Sequence, residues 1–437
     1  MEYMVFFIAL IFACLSHYKT WPIFGYSAHP IGFVIAFQIL VLTLPGVFII
    51  SYGENCLGSV TCSLVSESVK NKVFIDYFIV IIALFISISI SFLIGGRRYE
   101  FAPISNDRGL YLVSGIFLVF IILVAKIFFT KNIPLLTAIT GNVVEAEAQK
   151  ASILRGDDGI SFPIINFFIK YFPLYVYYSC LIAFLNKTCT KKIVLLSFLI
   201  TSLCILYDLQ KGPIVMMVIG SFWLYWARYG KITSIIVGGA FTLIIISFLF
   251  YISFDFGGDA SYFVDSILNR LFVAQADGMF WVYNFSKQSD IYLYWGIPFA
   301  SVLDIQQVDP LSDIIKHVFP DANASWVNAT SFLIGEAKAI FGDYSMGVVI
   351  LTVTANIILL CIISTWLMRV NKAIFYPAIF VMTQTLPLAN NISDLLYGRF
   401  LLGFIVFMIF PLFALQFEKC IKFILHPYMT NIKQDNI

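Results

Sequence analysis

The chain has 437 residues, of which 60% are hydrophobic and only 12% charged, with a formal net charge of +2. A soluble domain carries about a quarter charged residues, so a soluble fold is excluded, and so small a net charge argues against a nucleic-acid role. The apolar runs are long and unbroken, which helices need and a closed barrel does not; the chain reads as an all-α, polytopic integral membrane protein.

In chain order, apolar runs mark about eleven spans, near 3–15, 30–50, 73–95, 109–129, 161–185, 193–207, 213–227, 232–252, 345–367, 373–389 and 399–416. The first run follows Glu2 rather than a basic stretch, so it reads as a short span and not as a cleaved leader. Of the 27 basic residues, 14 fall in one set of short connections, such as "NKTCTKK", "ARYGK" and "MRVNK". By the positive-inside rule those connections, and the C-terminus with them, are cytoplasmic. The expected organisation is N-terminal transmembrane helices over 1–129, a first sizeable outer loop over 130–160 and central transmembrane helices over 161–252. A large outer loop over 253–344 and C-terminal transmembrane helices with a cytoplasmic tail over 345–437 follow. No internal repeat of the kind common in transporters is visible.

The eight cysteines show no metal-ligand spacing, and six lie in or beside apolar runs as small hydrophobes. Cys56 and Cys62 share one short polar loop on the outer side, where they can bridge if the compartment is oxidising.

Within the large loop, "SYFVDSILNRLFVAQADGMFWVYNF" (261–285) has helical periodicity, with Ser266, Arg270, Ala274 and Asp277 on one stripe. A second helix is signalled by Asp309 as N-cap, Pro310 in the first turn and Pro320 beyond the end; it carries Asp313, Lys316 and His317. The loop holds eleven acids against four bases and many aromatic rings, a composition suited to sugars as well as to a plain solvated surface. Its last stretch places Glu336 and Lys338 where the chain re-enters the apolar region, after Asn328 and Thr330 as candidate caps.

Several cations defy the orientation rule. Lys126, Lys170, Lys211 and Arg399 sit in or beside spans towards their outer ends, and Arg155, in "LRGDDG", precedes the fifth span. A charge deep in a span costs roughly 2.5–3.5 kcal/mol unless it snorkels or pairs. Lys211 and Arg399 stand at helix N-termini, where a cation is unfavourable unless an anion joins it. Three readings stay open: snorkelling to lipid phosphates, pairing with a carboxylate such as Asp394 for Arg399, and a shared diphosphate site.

From Arg155 to Arg399 the order of features resembles the O-antigen polymerases, which join oligosaccharide repeat units. The residues that carry the likeness are "LRGDDG", the Lys211 turn, "NRLFVAQADGMFWVY", "YWGIPFASV" and "NATSFLIGEAKAIFGDYSMG". Each motif is loose, and their order and topology make the match. The resemblance implies a polytopic, GT-C-like fold with one large periplasmic loop carrying short helices, in the bacterial inner membrane. It implies transfer of a growing glycan from undecaprenyl diphosphate to the next lipid-linked repeat unit, with no metal and no other cofactor. A separate chain-length regulator is the expected protein partner. Arg270 and Arg399 are then the candidates for stabilising the departing diphosphate, with Lys211 and Arg155 behind them as diphosphate ligands. His317 and Glu336 are candidates for general base, with Asp313 a rival. An O-antigen ligase and, in a different class, a lipid-linked oligosaccharide flippase are the alternatives.

Overall fold

A computed structural model of the chain describes residues 30–53, 56–95, 109–155, 163–209, 211–229, 233–253, 260–286, 289–298, 300, 303–320, 330–388, 391–412 and 416. The first expected span, 3–15, lies outside them. Every regular element among the described residues is helical. The first is α1 (Pro30–Tyr52), wound as a π-helix over Ile35–Thr43. Then come α2 (Glu67–Gly95), α3 (Gly109–Phe129), the short pair α4 (Pro134–Ile139) and α5 (Val143–Arg155), and α6 (Pro163–Leu185). Next are α7 (Lys191–Leu206), α8 (Lys211–Tyr229) and α9 (Thr233–Ser253). The large loop folds as α10 (Ala260–Leu271), α11 (Asp277–Phe285), α12 (Pro310–Val318) and α13 (Phe332–Phe341). The chain continues through α14 (Ser345–Gln384), the single turn α15 (Ser393–Leu396) and α16 (Arg399–Leu412).

Five stretches are long and apolar enough to cross a membrane: Pro30–Tyr52, Glu67–Ile88, Tyr111–Phe129, Phe167–Leu185 and Phe332–Gln384. The last takes in α13 and α14 and loses helical geometry at Asn371 (φ −159°, ψ 94°), inside the polar "MRVNK" connection. Ile236–Phe248 and Arg399–Leu412 are shorter apolar helices. The runs expected at 193–207 and 213–227 are helical as α7 and α8 but are not among the five. On α3 the rings and chains of Phe117, Phe120, Ile121, Val124 and Phe128 stand exposed. A continuous apolar face of that extent is stable against lipid and not against water.

The chain divides into two compact units. The first draws on Met1–Tyr99, Phe256–Trp366 and Thr383–Gly403, and the second on Glu100–Asp255, Leu367–Met382 and Phe404–Ile437. In the first, the π-helical carbonyls of α1 find partners: Tyr77 of α2 donates to the Ile39 carbonyl at 2.9 Å and Thr43 donates to that of Gln38 at 2.7 Å. The Tyr77 ring also packs on Phe332 of α13, 5.0 Å between centroids. Gly46 lets α1 approach the turn after α10, because a Cβ there would lie 2.2 Å from the Phe272 carbonyl oxygen. In the second unit, aromatic pairs dominate, such as Phe172 with Phe410 at 4.6 Å and Tyr178 with Phe380 at 4.9 Å.

Candidate functional site

Of the candidate residues, Glu336 and Arg399 are drawn to one place in the first unit. Glu336 is 3% exposed on α13. Its carboxylate accepts the Ser393 backbone N–H at 3.0 Å and the Ser393 hydroxyl at 2.8 Å. It therefore caps the α15 turn from 57 residues away, supplying the acceptor that Ile392, the local N-cap, lacks. The next residue, Asp394, meets Arg399 at 3.5 Å. Burial pushes the Asp394 carboxyl up, and Arg399 pulls it part of the way back. Arg399 opens α16 with its side chain 64% exposed, so the pairing with Asp394 expected from the sequence exists but is loose. Glu336 is thus buried and held by Ser393.

Of the two candidate caps, Thr330 does not cap α13. Asn328 lies outside the described residues, and the Thr330 hydroxyl donates to the Ala274 carbonyl at 3.2 Å. The N-cap of α13 is Ser331, without a side-chain capping bond. Lys338 pairs with Asp343 at 2.9 Å, which accounts for an ammonium at this point of the chain. Small residues serve close approach between α11 and α13: a Cβ on Gly335 would lie 3.1 Å from the Met279 Cα, and one on Gly278 2.7 Å from the Thr330 carbonyl oxygen.

Arg270 and His317 stand elsewhere in the same unit. Arg270 is exposed in the last turn of α10 and, among the described residues, forms no ion pair. The 261–285 periodicity does not run through: α10 ends at Leu271, a 3₁₀ turn covers Val273–Gln275, and α11 begins at Asp277. The break rotates the expected stripe, so Arg270 is exposed while Asp277 is buried. His317 is exposed on α12, whose Ile314 and Ile315 are buried. Asp309 does cap α12, accepting the Leu311 N–H at 3.0 Å. The rival base Asp313 accepts the Tyr292 hydroxyl at 2.5 Å, and burial together with that bond pushes the Tyr292 phenol up to about 12.

The Cys56–Cys62 loop, where the sequence allowed a bridge, is a hub that fastens α10 and α11 in this unit. Cys56 and Cys62 form a disulfide with 5.9 Å between Cα atoms. Between them Thr61 donates to the Asp277 carboxylate at 2.5 Å and Ser59 donates to it at 3.2 Å. The Trp281 indole N–H donates to the Thr61 hydroxyl at 2.9 Å, and the Asn269 amide donates to the Leu57 carbonyl at 3.0 Å. Burial pushes the Asp277 carboxyl up to about 6, against the pull of Thr61 and Ser59. The loop itself is strained, since Cys56, Leu57 and Gly58 all take positive φ (39°, 49° and 77°). For the two non-glycine residues this costs roughly 1–2 kcal/mol each. Hydroxyl residues between two close cysteines, in "CLGSVTC", were the signal available.

The remaining candidates belong to the second unit. Arg155 ends α5 and Lys211 begins α8; their side chains lie outside the described residues. Lys126, one of the misplaced cations, is satisfied: it donates to the Cys204 carbonyl at 2.9 Å, pairs with Asp208 at 3.1 Å and lies 5.1 Å over the Tyr207 ring. Lys170 is exposed, 5.6 Å over the Tyr171 ring. Among the described residues no group of three histidine, cysteine or acidic side chains is gathered as a metal would require.

Chemically, the first unit offers an exposed guanidinium on Arg270, a second on Arg399 at a helix N-terminus, and a buried carboxylate that shapes the turn leading to Arg399. Exposed guanidiniums are chemically suited to anions rather than to proton abstraction. Compared with known protein families, with curated proteins and with solved structures, the chain has no significant match.

Proposed function

We propose that the chain is a membrane glycosyltransferase that polymerises undecaprenyl-diphosphate-linked repeat units into O-antigen-type polysaccharide. It does so at the periplasmic face of the bacterial inner membrane, with about eleven spans and the helices α10–α13 outside. The observation that carries the reading is Arg399. It is a largely exposed cation at the first residue of an apolar helix, held only at 3.5 Å by a partly buried Asp394. The positive end of a helix disfavours a cation on its own, and an anion placed there is met by free N–H groups and the guanidinium together. A lipid diphosphate at a membrane surface is an anion of the right kind, and Arg270 supplies a second guanidinium in the same unit.

In the proposed reaction the acceptor hydroxyl attacks the anomeric carbon of the polymer-bearing donor. The bond to the diphosphate oxygen breaks, and the negative charge that builds on the leaving group is stabilised by the arginines. The exposed His317 is the stronger candidate to take the hydroxyl proton, because Glu336 is committed to Ser393 and Asp313 to Tyr292. Arg155 and Lys211 stay in the proposal as diphosphate ligands on the strength of the sequence alone.

The test is a gel profile of surface lipopolysaccharide from a deletion strain complemented with wild type, Arg270→Ala or Arg399→Ala. The expected result is a core with one repeat unit in the deletion and in both variants, and a ladder with wild type. Polymer stalled on the carrier lipid would make the chain a ligase, and loss of every repeat unit from the surface would make it a flippase.

A further inference from the structure

The disulfide loop is fastened at three points to helices that are far from it in sequence. Its Leu57 carbonyl holds Asn269, the residue before Arg270; its Ser59 and Thr61 hydroxyls hold Asp277; and Thr61 also holds Trp281. Asp277 and Trp281 belong to α11, which lies against α13 through the glycine contacts at Gly278 and Gly335, and α13 carries Glu336. One seven-residue ring, Cys56 to Cys62, thus fixes where α10 ends, where α11 starts and how α11 meets α13. Two non-glycine residues in left-handed conformation are kept in that ring, and such a backbone persists only where its surroundings over-determine it. The covalent closure and the buried Asp277 are those surroundings.

We propose that the Cys56–Cys62 loop is an oxidation-set clamp that positions Arg270 and the α11–α13 pair. Closing it converts two thiols to one disulfide, with two electrons and two protons passing to a thiol–disulfide exchange partner. Opening it frees Leu57, Ser59 and Thr61 together, so the two outer helices lose their common anchor while the second unit is untouched. Since a structural disulfide persists in an oxidising compartment, the clamp puts Arg270 on that side of the membrane, independently of the count of basic loops. Cys56 and Cys62 are positioning residues; the effect on turnover rests on the glycosyl-transfer reading, whereas the effect on the helices does not.

The experiment uses full-length protein in detergent, as purified, after dithiothreitol, and after reduction followed by bridging of the two thiols with dibromomaleimide. Peptide mapping first asks whether Cys56 and Cys62 resist alkylation until dithiothreitol gives two electrons and two protons to their disulfide and closes to its own cyclic disulfide. Hydrogen exchange then follows 260–285 and 332–341, with 163–229 as the internal control. Reduction should speed exchange in the first two segments on the order of tenfold, leave the control within about twofold, and be reversed by the bridge. With lipid-linked repeat units as substrate, kcat should fall on the order of tenfold with KM moved less than about twofold, and the bridge should restore it. The Cys56→Ser/Cys62→Ser protein should match the reduced state; because that variant can fail to fold, the reduced wild type decides. Alkylation without reductant, or unchanged exchange on reduction, overturns the clamp. Faster exchange with unchanged kcat overturns its positioning role. A wild type that transfers no sugar but shows the exchange response overturns the glycosyltransferase reading and leaves the clamp standing.

Discussion

Asp277 makes a pH dependence that runs opposite to that of an ordinary carboxylate. It is 6% exposed, its two hydroxyl donors come from Ser59 and Thr61, and burial raises its carboxyl from 3.8 to about 6. Because the folded value lies above the unfolded one, the stabilisation belongs to the protonated form. It is complete below 3.8 and is lost as pH rises through about 6. A rise of that size corresponds to about 3 kcal/mol in all, of which roughly 2 kcal/mol falls between pH 4 and pH 8. Asp277→Asn removes the titration while keeping the shape and the acceptor for Thr61, and leaves one amide N–H without a designed partner, at about 1 kcal/mol and independent of pH. The two proteins should therefore cross: wild type more stable at pH 4, Asp277→Asn more stable at pH 8. The assay is the opening free energy of the 277–285 amides by hydrogen exchange, corrected for intrinsic rates at each pH. Parallel pH curves, or wild-type protection that grows with pH across this window, would refute the reasoning.

Three further outcomes can be measured on the same preparation. Gly46→Ala forces a methyl onto the Phe272 carbonyl and should cost about 1–3 kcal/mol in thermal unfolding, whereas Gly347→Ala, with open space around it, should be neutral. Ser393→Ala leaves the buried Glu336 with backbone donors only, and Tm should fall by the equivalent of about 1–3 kcal/mol, with Ser393→Thr milder. Lys126→Met strands Asp208 and should cost about 3–5 kcal/mol, most of which Lys126→Met/Asp208→Asn recovers, as a double-mutant cycle on unfolding would show.

What could be read from the sequence was local. Asp309 followed by proline is a capping signal contained in four residues, and the helix begins where it says. Arg399 and Asp394 are five positions apart, so their pairing was open to inspection. The helical character of the apolar runs followed from length alone. What stayed hidden was non-local. Nothing in "FLIGEAKAIF" says that Glu336 will find Ser393, and the local alternative, Thr330 as a cap, lost to the Ala274 carbonyl. The break between α10 and α11 carries no glycine or proline as punctuation. It is set instead by contacts from outside the segment, the Phe272 carbonyl against Gly46 and Asp277 under the disulfide loop.

The misplaced charges separate into two kinds once their neighbours are known. Lys126, Lys338 and Glu336 are answered within the protein, each by partners at 2.8–3.1 Å, and an answered charge needs no ligand. Arg270 and Arg399 are not answered in that way: one forms no ion pair among the described residues, and the other reaches its acid only at 3.5 Å and stays 64% exposed. A chain with only 12% charged residues has spent them sparingly, and three of the outlying ones are closed off. On the proposed glycosyltransferase reading, Arg270 and Arg399 are the ones for which a substrate anion is the natural partner. Binding energy held in reserve for a charge that grows during reaction is worth more to turnover than the same contact made in the resting protein.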